Sequence, residues 1–102
     1  MGAPLCMSGF VWREAAPGDF VCVEPSQRDQ AAADNAAAGS RVDPNGAFGP
    51  NTCISGFVWR EAFPGDVVCV DPAVRAQVAA DNAAAASRIQ PEGKKAVLFD
   101  DA

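Results

Sequence analysis

The chain has 102 residues, a formal net charge of −5, and neither histidine nor tyrosine. Losing histidine removes the commonest catalytic base and the commonest zinc ligand together, so the composition points away from an enzyme. Lys94 and Lys95 are the only lysines and the longest apolar runs are short, which leaves no basic footprint for nucleic acid and no segment for membrane insertion.

The sequence is an internal duplication. Residues 6–46 recur, 47 positions later, as residues 53–93, with 29 of 41 positions identical when the two are laid over one another without a gap. The expected division is a first repeat unit over 1–47 and a second over 48–102, the latter with a C-terminal extension. A unit of this size buries too little surface to be comfortable without a staple or a neighbour.

Met1 to Leu5 offers neither a basic start nor an apolar stretch of the kind that directs secretion. Cys6 follows, and with Cys22, Cys53 and Cys69 it makes four cysteines divided evenly between the copies. Of the three possible connectivities, duplication favours Cys6–Cys22 and Cys53–Cys69, because a unit that was copied must have folded before it had a partner. Closing a loop of about 15 residues contributes roughly 3 kcal/mol on the chain-entropy model. Thiolate metal ligation is the weaker alternative, since the separation is far from a short knuckle and no histidine assists. Disulfides imply an oxidising compartment, so a secreted or cell-surface location is expected.

Gly9 to Glu14 is rich in β-formers, Ala16-Pro17-Gly18-Asp19 is a turn signal, and Phe20 to Val23 supplies a return strand. Gly56 to Glu61, Phe63-Pro64-Gly65-Asp66 and Val67 to Val70 repeat the pattern. Alternation puts Phe10 and Trp12 on one face, with Val11 and Arg13 on the other. Glu24-Pro25 and Asp71-Pro72 then open alanine-rich helices, expected over about 25–38 and 72–87, with Asp71 the better N-cap. Gly39 suits a C-terminal cap, and Ala86 in its place predicts a second helix that runs further. Pro44-Asn45-Gly46 and Pro91-Glu92-Gly93 are closing turns, and apolar Ala96 to Phe99 is expected to add a strand or cover the second core. The fold class is therefore α+β: two tandem ββα units, each a hairpin plus an alanine-rich helix. Each is stapled by a disulfide, and the short linker favours packing with pseudo-twofold symmetry.

Val74, Val78, Ala85 and Ile89 fall on one stripe of the second helix, where the first has Gln27 and Ala31 at the leading positions. Either the first copy has a thinner core or it shows that stripe to a partner. Ser8 to Ala15 recurs unchanged apart from its flanks as Ser55 to Ala62. Trp12, Arg13, Trp59, Arg60 and Phe63 form the candidate binding surface, an aromatic and guanidinium set suited to a protein or glycan partner. The bland alternative makes each tryptophan the main core residue of its unit. Asp34, Asn35, Asp81 and Asn82 stand mid-helix among alanines although their types disfavour helix, so they are structural polar candidates. Asp34 is expected to accept from Arg13 and Asp81 from Arg60, tying helix to hairpin. Cation ligation with Asp19 or Asp66 is the other reading, but no loop has the dense acidic alternation of calcium sites. Ser8 and Ser55 have no visible base and receive no nucleophilic role. No cofactor is implied.

The string Cys53 to Ala62, then Pro64-Gly65-Asp66, Val68-Cys69-Val70, Pro72, Arg75 and Asp81-Asn82, resembles a tandem repeat of secreted proteins of actinobacteria and similar soil bacteria. The resemblance covers nearly the whole chain and implies location and modularity; it carries no catalytic residue over. A non-enzymatic extracellular binding or structural module used in tandem is the leading expectation, because duplication gives two equivalent surfaces and avidity. The alternative is a small inhibitor or effector of a secreted enzyme that presents the Ala62 to Asp66 turn.

Overall fold

A computed structural model describes residues 3–91; the turn at 91–93 lies mostly, and the apolar stretch 96–99 wholly, outside them. Each copy is a minimal hairpin followed by a helix. In the first, β1 (Val11–Trp12) pairs antiparallel with β2 (Cys22–Val23), and α1 spans Pro25–Ala37. In the second, β3 (Val58–Trp59) pairs with β4 (Cys69–Val70), and α2 spans Pro72–Ala84. The registers match, Val11 opposite Val23 and Trp12 opposite Cys22, then Val58 opposite Val70 and Trp59 opposite Cys69. Disulfides join Cys6 to Cys22 and Cys53 to Cys69, the within-copy pairing that duplication favours.

The expected turns form for the expected reason. Asp19 N–H donates to Ala16 O and Asp66 N–H to Phe63 O, with Gly18 and Gly65 at φ +86° and +85°. Proline before a glycine of positive φ is the signature of a type II turn. The preceding residues were not foreseen as special: Glu14 and Glu61 hold φ of 55° and 58°. A side chain in the left-handed region costs about 1 kcal/mol or more, and here it turns the next N–H inward. Ala15 N–H reaches Asp19 Oδ2 at 3.1 Å, and Ala62 N–H reaches Asp66 Oδ2 at 2.9 Å.

Both helices start at proline, as its missing N–H allows. Neither Glu24 nor Asp71 caps with its side chain, so Asp71 holds no advantage; backbone bonds from Gln27 to Glu24 O and from Val74 to Asp71 O close the first turns instead. The helix ends differ from expectation too. Gly39 adopts no positive φ and α2 runs no further than α1, because both pass into equivalent 3-10 turns, Ala38–Arg41 and Ala85–Arg88. Contacts of Arg41 and Arg88 with the opposite copy set that point, as shown below, and they override the difference between glycine and alanine.

Neither hairpin could stand alone as a two-stranded ribbon. The 3-10 turn of each copy packs on the second strand of the other, and chain segments pair across the join. Val42 bridges Cys53, with Ile54 N–H donating to Arg41 O and Asp43 N–H to Thr52 O. The same pattern recurs between the chain's distant ends: Cys6 bridges Ile89, with Met7 N–H donating to Arg88 O and Gln90 N–H to Leu5 O. Each bond has a mate 47 residues away, which is the pseudo-twofold relation.

Candidate functional site

The interior where the copies meet is charged. Its fully buried side chains include Arg13 and Arg60, alongside Cys22, Val23, Cys69, Val70 and Asp34. The apolar part is completed only by small groups, Ala15, Ala31, Ala62 and Val78. The tryptophans are half-buried and are not the core of either copy.

Arg13 is 2% exposed and forks onto Asp19, Nε to Oδ2 at 2.7 Å and Nη2 to Oδ1 at 3.1 Å. Arg60, also 2% exposed, forks onto Asp66 at 2.7 and 3.1 Å. This corrects the expected pairs Arg13–Asp34 and Arg60–Asp81. The hairpin turn carries its own acid six residues on, in the plane of the guanidinium, and both carboxylate oxygens are taken there. Charge-assisted bidentate geometry is the strong form of this bond. The remaining nitrogen of each arginine crosses to the other copy: Arg13 Nη1 donates to Asn82 Oδ1 and Arg60 Nη1 to Asn35 Oδ1, each at 2.9 Å.

The asparagines complete the circuit. Asn35 Nδ2 donates to Ala15 O at 2.8 Å and Asn82 Nδ2 to Ala62 O at 3.0 Å, each on its own copy's turn. Each asparagine thereby holds its own hairpin to its own helix and the opposite arginine to both.

Asp34 and Asp81, expected to tie helix to hairpin, instead serve the helix ends. Arg41 Nη1 donates to Asp34 Oδ1 at 3.0 Å and Arg88 Nη1 to Asp81 Oδ1 at 2.9 Å. Gln30 and Gln77, one turn earlier, donate to the same carboxylates. Arg41 and Arg88 then reach across, to Cys69 O and Cys22 O, both at 3.1 Å. Each guanidinium also lies over a phenylalanine of the other copy, Arg41 on Phe57 and Arg88 on Phe10, 4.7 Å from the ring centres. The helix-disfavoured pair Asp-Asn is therefore compensated by four partners, of which only the glutamine one turn earlier is local in sequence. Asp81→Ala is expected to cost about 1–3 kcal/mol, since it strips a buried acceptor from Arg88, whereas helix propensity alone predicts a small gain. Chemical denaturation separates the accounts by sign.

At the centre, α1 and α2 face each other across a cavity of about 10 Å³ lined by Gln27, Ala31, Asp34, Val74, Val78 and Asp81 among others. Ala31 and Val78 occupy equivalent places and are equally buried, so the stripe on the first helix is covered at Ala31, with Gln27 half-buried as Val74 is. With Asp19 and Asp66 filled by arginine, their carboxylates do not join the helix acids in a cation site. Among the described residues no group of three or more such ligands gathers.

The remaining candidates lie at the surface. Arg13 and Arg60 are buried in these networks and leave the aromatic residues to form any exposed face. Trp12 packs edge-on against Phe20, 4.9 Å between ring centres. Its indole N–H donates to Pro4 O, as that of Trp59 does to Asn51 O. In the second copy valine stands at 67 where the first has Phe20, and Phe63 replaces Ala16. Trp59 consequently lines two adjoining clefts. One, of about 250 Å³, includes Phe48, Phe57 and Arg75; the other, of about 490 Å³, includes Phe63, Pro64 and Asn82. Phe48, in the linker, is 78% exposed, a residue the sequence reading did not single out. Among the described residues no helix is long and apolar enough to cross a membrane.

Fold and interior define a class: a duplicated, disulfide-stapled ββα protein whose copies are locked by reciprocal arginine, aspartate and asparagine networks. No family model, curated protein or solved structure matches this chain.

Proposed function

We propose that the protein is a non-enzymatic, extracellular binding module used in tandem, holding a protein or glycan partner against the Trp59 face of its second copy. The observation that carries the reading is the placement of Trp59, whose ring borders both clefts and whose N–H is already tied to Asn51 O. A fixed, half-buried aromatic ring loses little entropy when a partner docks, and tryptophan with arginine beside it is the composition of binding hot spots. Phe63 and Phe48 extend the apolar area, and Arg75 gives it a cationic edge. The two disulfides suit a secreted setting, in keeping with the resemblance to secreted tandem repeats.

The test is retention on medium proteins and on cell-wall polysaccharide, comparing the native chain with Trp59→Ala and Phe63→Ala. A loss of tenfold or more is expected for both, and a much smaller one for Trp12→Ala, where Phe20 covers the ring. Phe63→Ala breaks no hydrogen bond, so unchanged retention with it and with Trp59→Ala would remove this reading.

The inhibitor reading has one observation in its favour. The Ala62 to Asp66 turn is clamped by buried Asp66 while Pro64 and Gly65 stand exposed at its tip. Inhibition of a secreted hydrolase sensitive to Pro64→Ala and indifferent to Trp59→Ala would favour it.

A further inference from the structure

We propose that the face each copy turns to the other is a homotypic docking surface, whose further partner is the same face on a second copy of this chain. Two-fold interfaces are self-complementary, and this one is built twice from the same residues. Arg13 on Asn82 is matched by Arg60 on Asn35, Arg41 on Cys69 O by Arg88 on Cys22 O, and Phe57 under Arg41 by Phe10 under Arg88. None of these bonds depends on its two copies belonging to one chain.

The two ends of the interface make the same point. Asp43 and Thr52 pair where the linker joins the copies; Gln90 and Leu5 pair in the same way with no covalent link between them. A junction that forms without a linker can form between chains. The linker residues 44–51 are thus the only element that makes the association intramolecular, and exchange of copies between two chains restores every cross-copy bond. The central cavity restricts which copies pair. Ala31 lines it from one side and Val78 from the other, so a first copy facing a second repeats this packing, whereas two second copies would set valine against valine and two first copies would leave the space unfilled. Exchange therefore joins the first copy of one chain to the second copy of another, giving a closed pair of chains.

The experiment deletes residues 44–51 from the full chain, joining Asp43 directly to Thr52. Residues that pair side by side in antiparallel strands cannot be consecutive, so this chain cannot close on itself. In the control the same eight residues are replaced by Asn-Gly, which suits a two-residue hairpin turn. Light scattering after gel filtration should give twice the chain mass for the deletion and the single mass for the control. A further Asn35→Leu/Asn82→Leu change should return the deletion chain to a monomer. A monomeric deletion chain, folded or unfolded, overturns the proposal, as does dimerisation that survives the asparagine changes. Should the deletion chain precipitate, the intact chain decides. Refolded from guanidinium with its disulfides kept, it should trap a dimer fraction that rises with concentration, and a monomer at every concentration overturns the proposal.

Discussion

Arg60→Ala is expected to destabilise the protein by about 3–5 kcal/mol, the range for removing one partner of a buried ion pair. The loss arises less from the bond given up than from what stays behind. Asp66 is 5% exposed, and its carboxylate would face a low-dielectric interior with only the Ala62 and Val68 N–H groups. The change also frees Asn35 Oδ1 from the opposite copy, so damage done in the second hairpin reaches the first helix. Arg60→Lys should recover little. An ammonium group cannot fork onto two carboxylate oxygens and reach the asparagine as well. Circular dichroism melts with disulfides intact measure the effect. A cost below about 1 kcal/mol would show that the buried guanidinium contributes no more than an exposed ion pair does.

Removing the second disulfide as Cys53→Ala with Cys69→Ala should cost roughly 2–5 kcal/mol, beginning with the closure entropy of the unfolded loop. Alanine avoids burying a hydroxyl at Cys69, which is fully buried. The hairpin it staples pairs only two residues with two, so within its own copy the disulfide is a large part of what holds β4 in place. Cys69 O is also the acceptor for Arg41, which belongs to the other copy. The weakened chain should therefore still unfold in one transition, with both halves losing structure together. Two separate transitions, one unshifted, would mean that the copies are energetically independent despite their shared bonds.

The reach of the sequence is clearest at Cys6–Cys22, the Pro17-Gly18 turn and the alanine helices. Each rests on covalent copying or on a local preference, and each stands as expected. Glu14 and Glu61 show the opposite case. Glutamate has no preference for a left-handed backbone; it is held there by its own N–H on Asp19 O or Asp66 O and by the next N–H on the same aspartate's carboxylate. Nor did local sequence indicate Phe48, which is conspicuous only because the linker carries it to the Trp59 cleft.

The charged residues divide along the same line. That Asp34-Asn35 and Asp81-Asn82 needed compensation was legible, since two helix-disfavoured residues recur unchanged among alanines. Which groups compensate was not. Arg13 had several acids within the reach of a long side chain, and pattern cannot rank them. Duplication follows from the sequence alone, and repetition with short-range backbone preference led to the hairpin-plus-helix units and favoured the disulfide pairing and the two-fold relation. Tertiary structure alone assigns Arg13 to Asp19, Asp34 to Arg41, and Asn35 to the arginine of the other copy. Those choices turn on where a buried guanidinium finds both oxygens of one carboxylate in its plane and a third acceptor across the interface. The fork forms within one hairpin, but the third acceptor is in place only once the two copies have met.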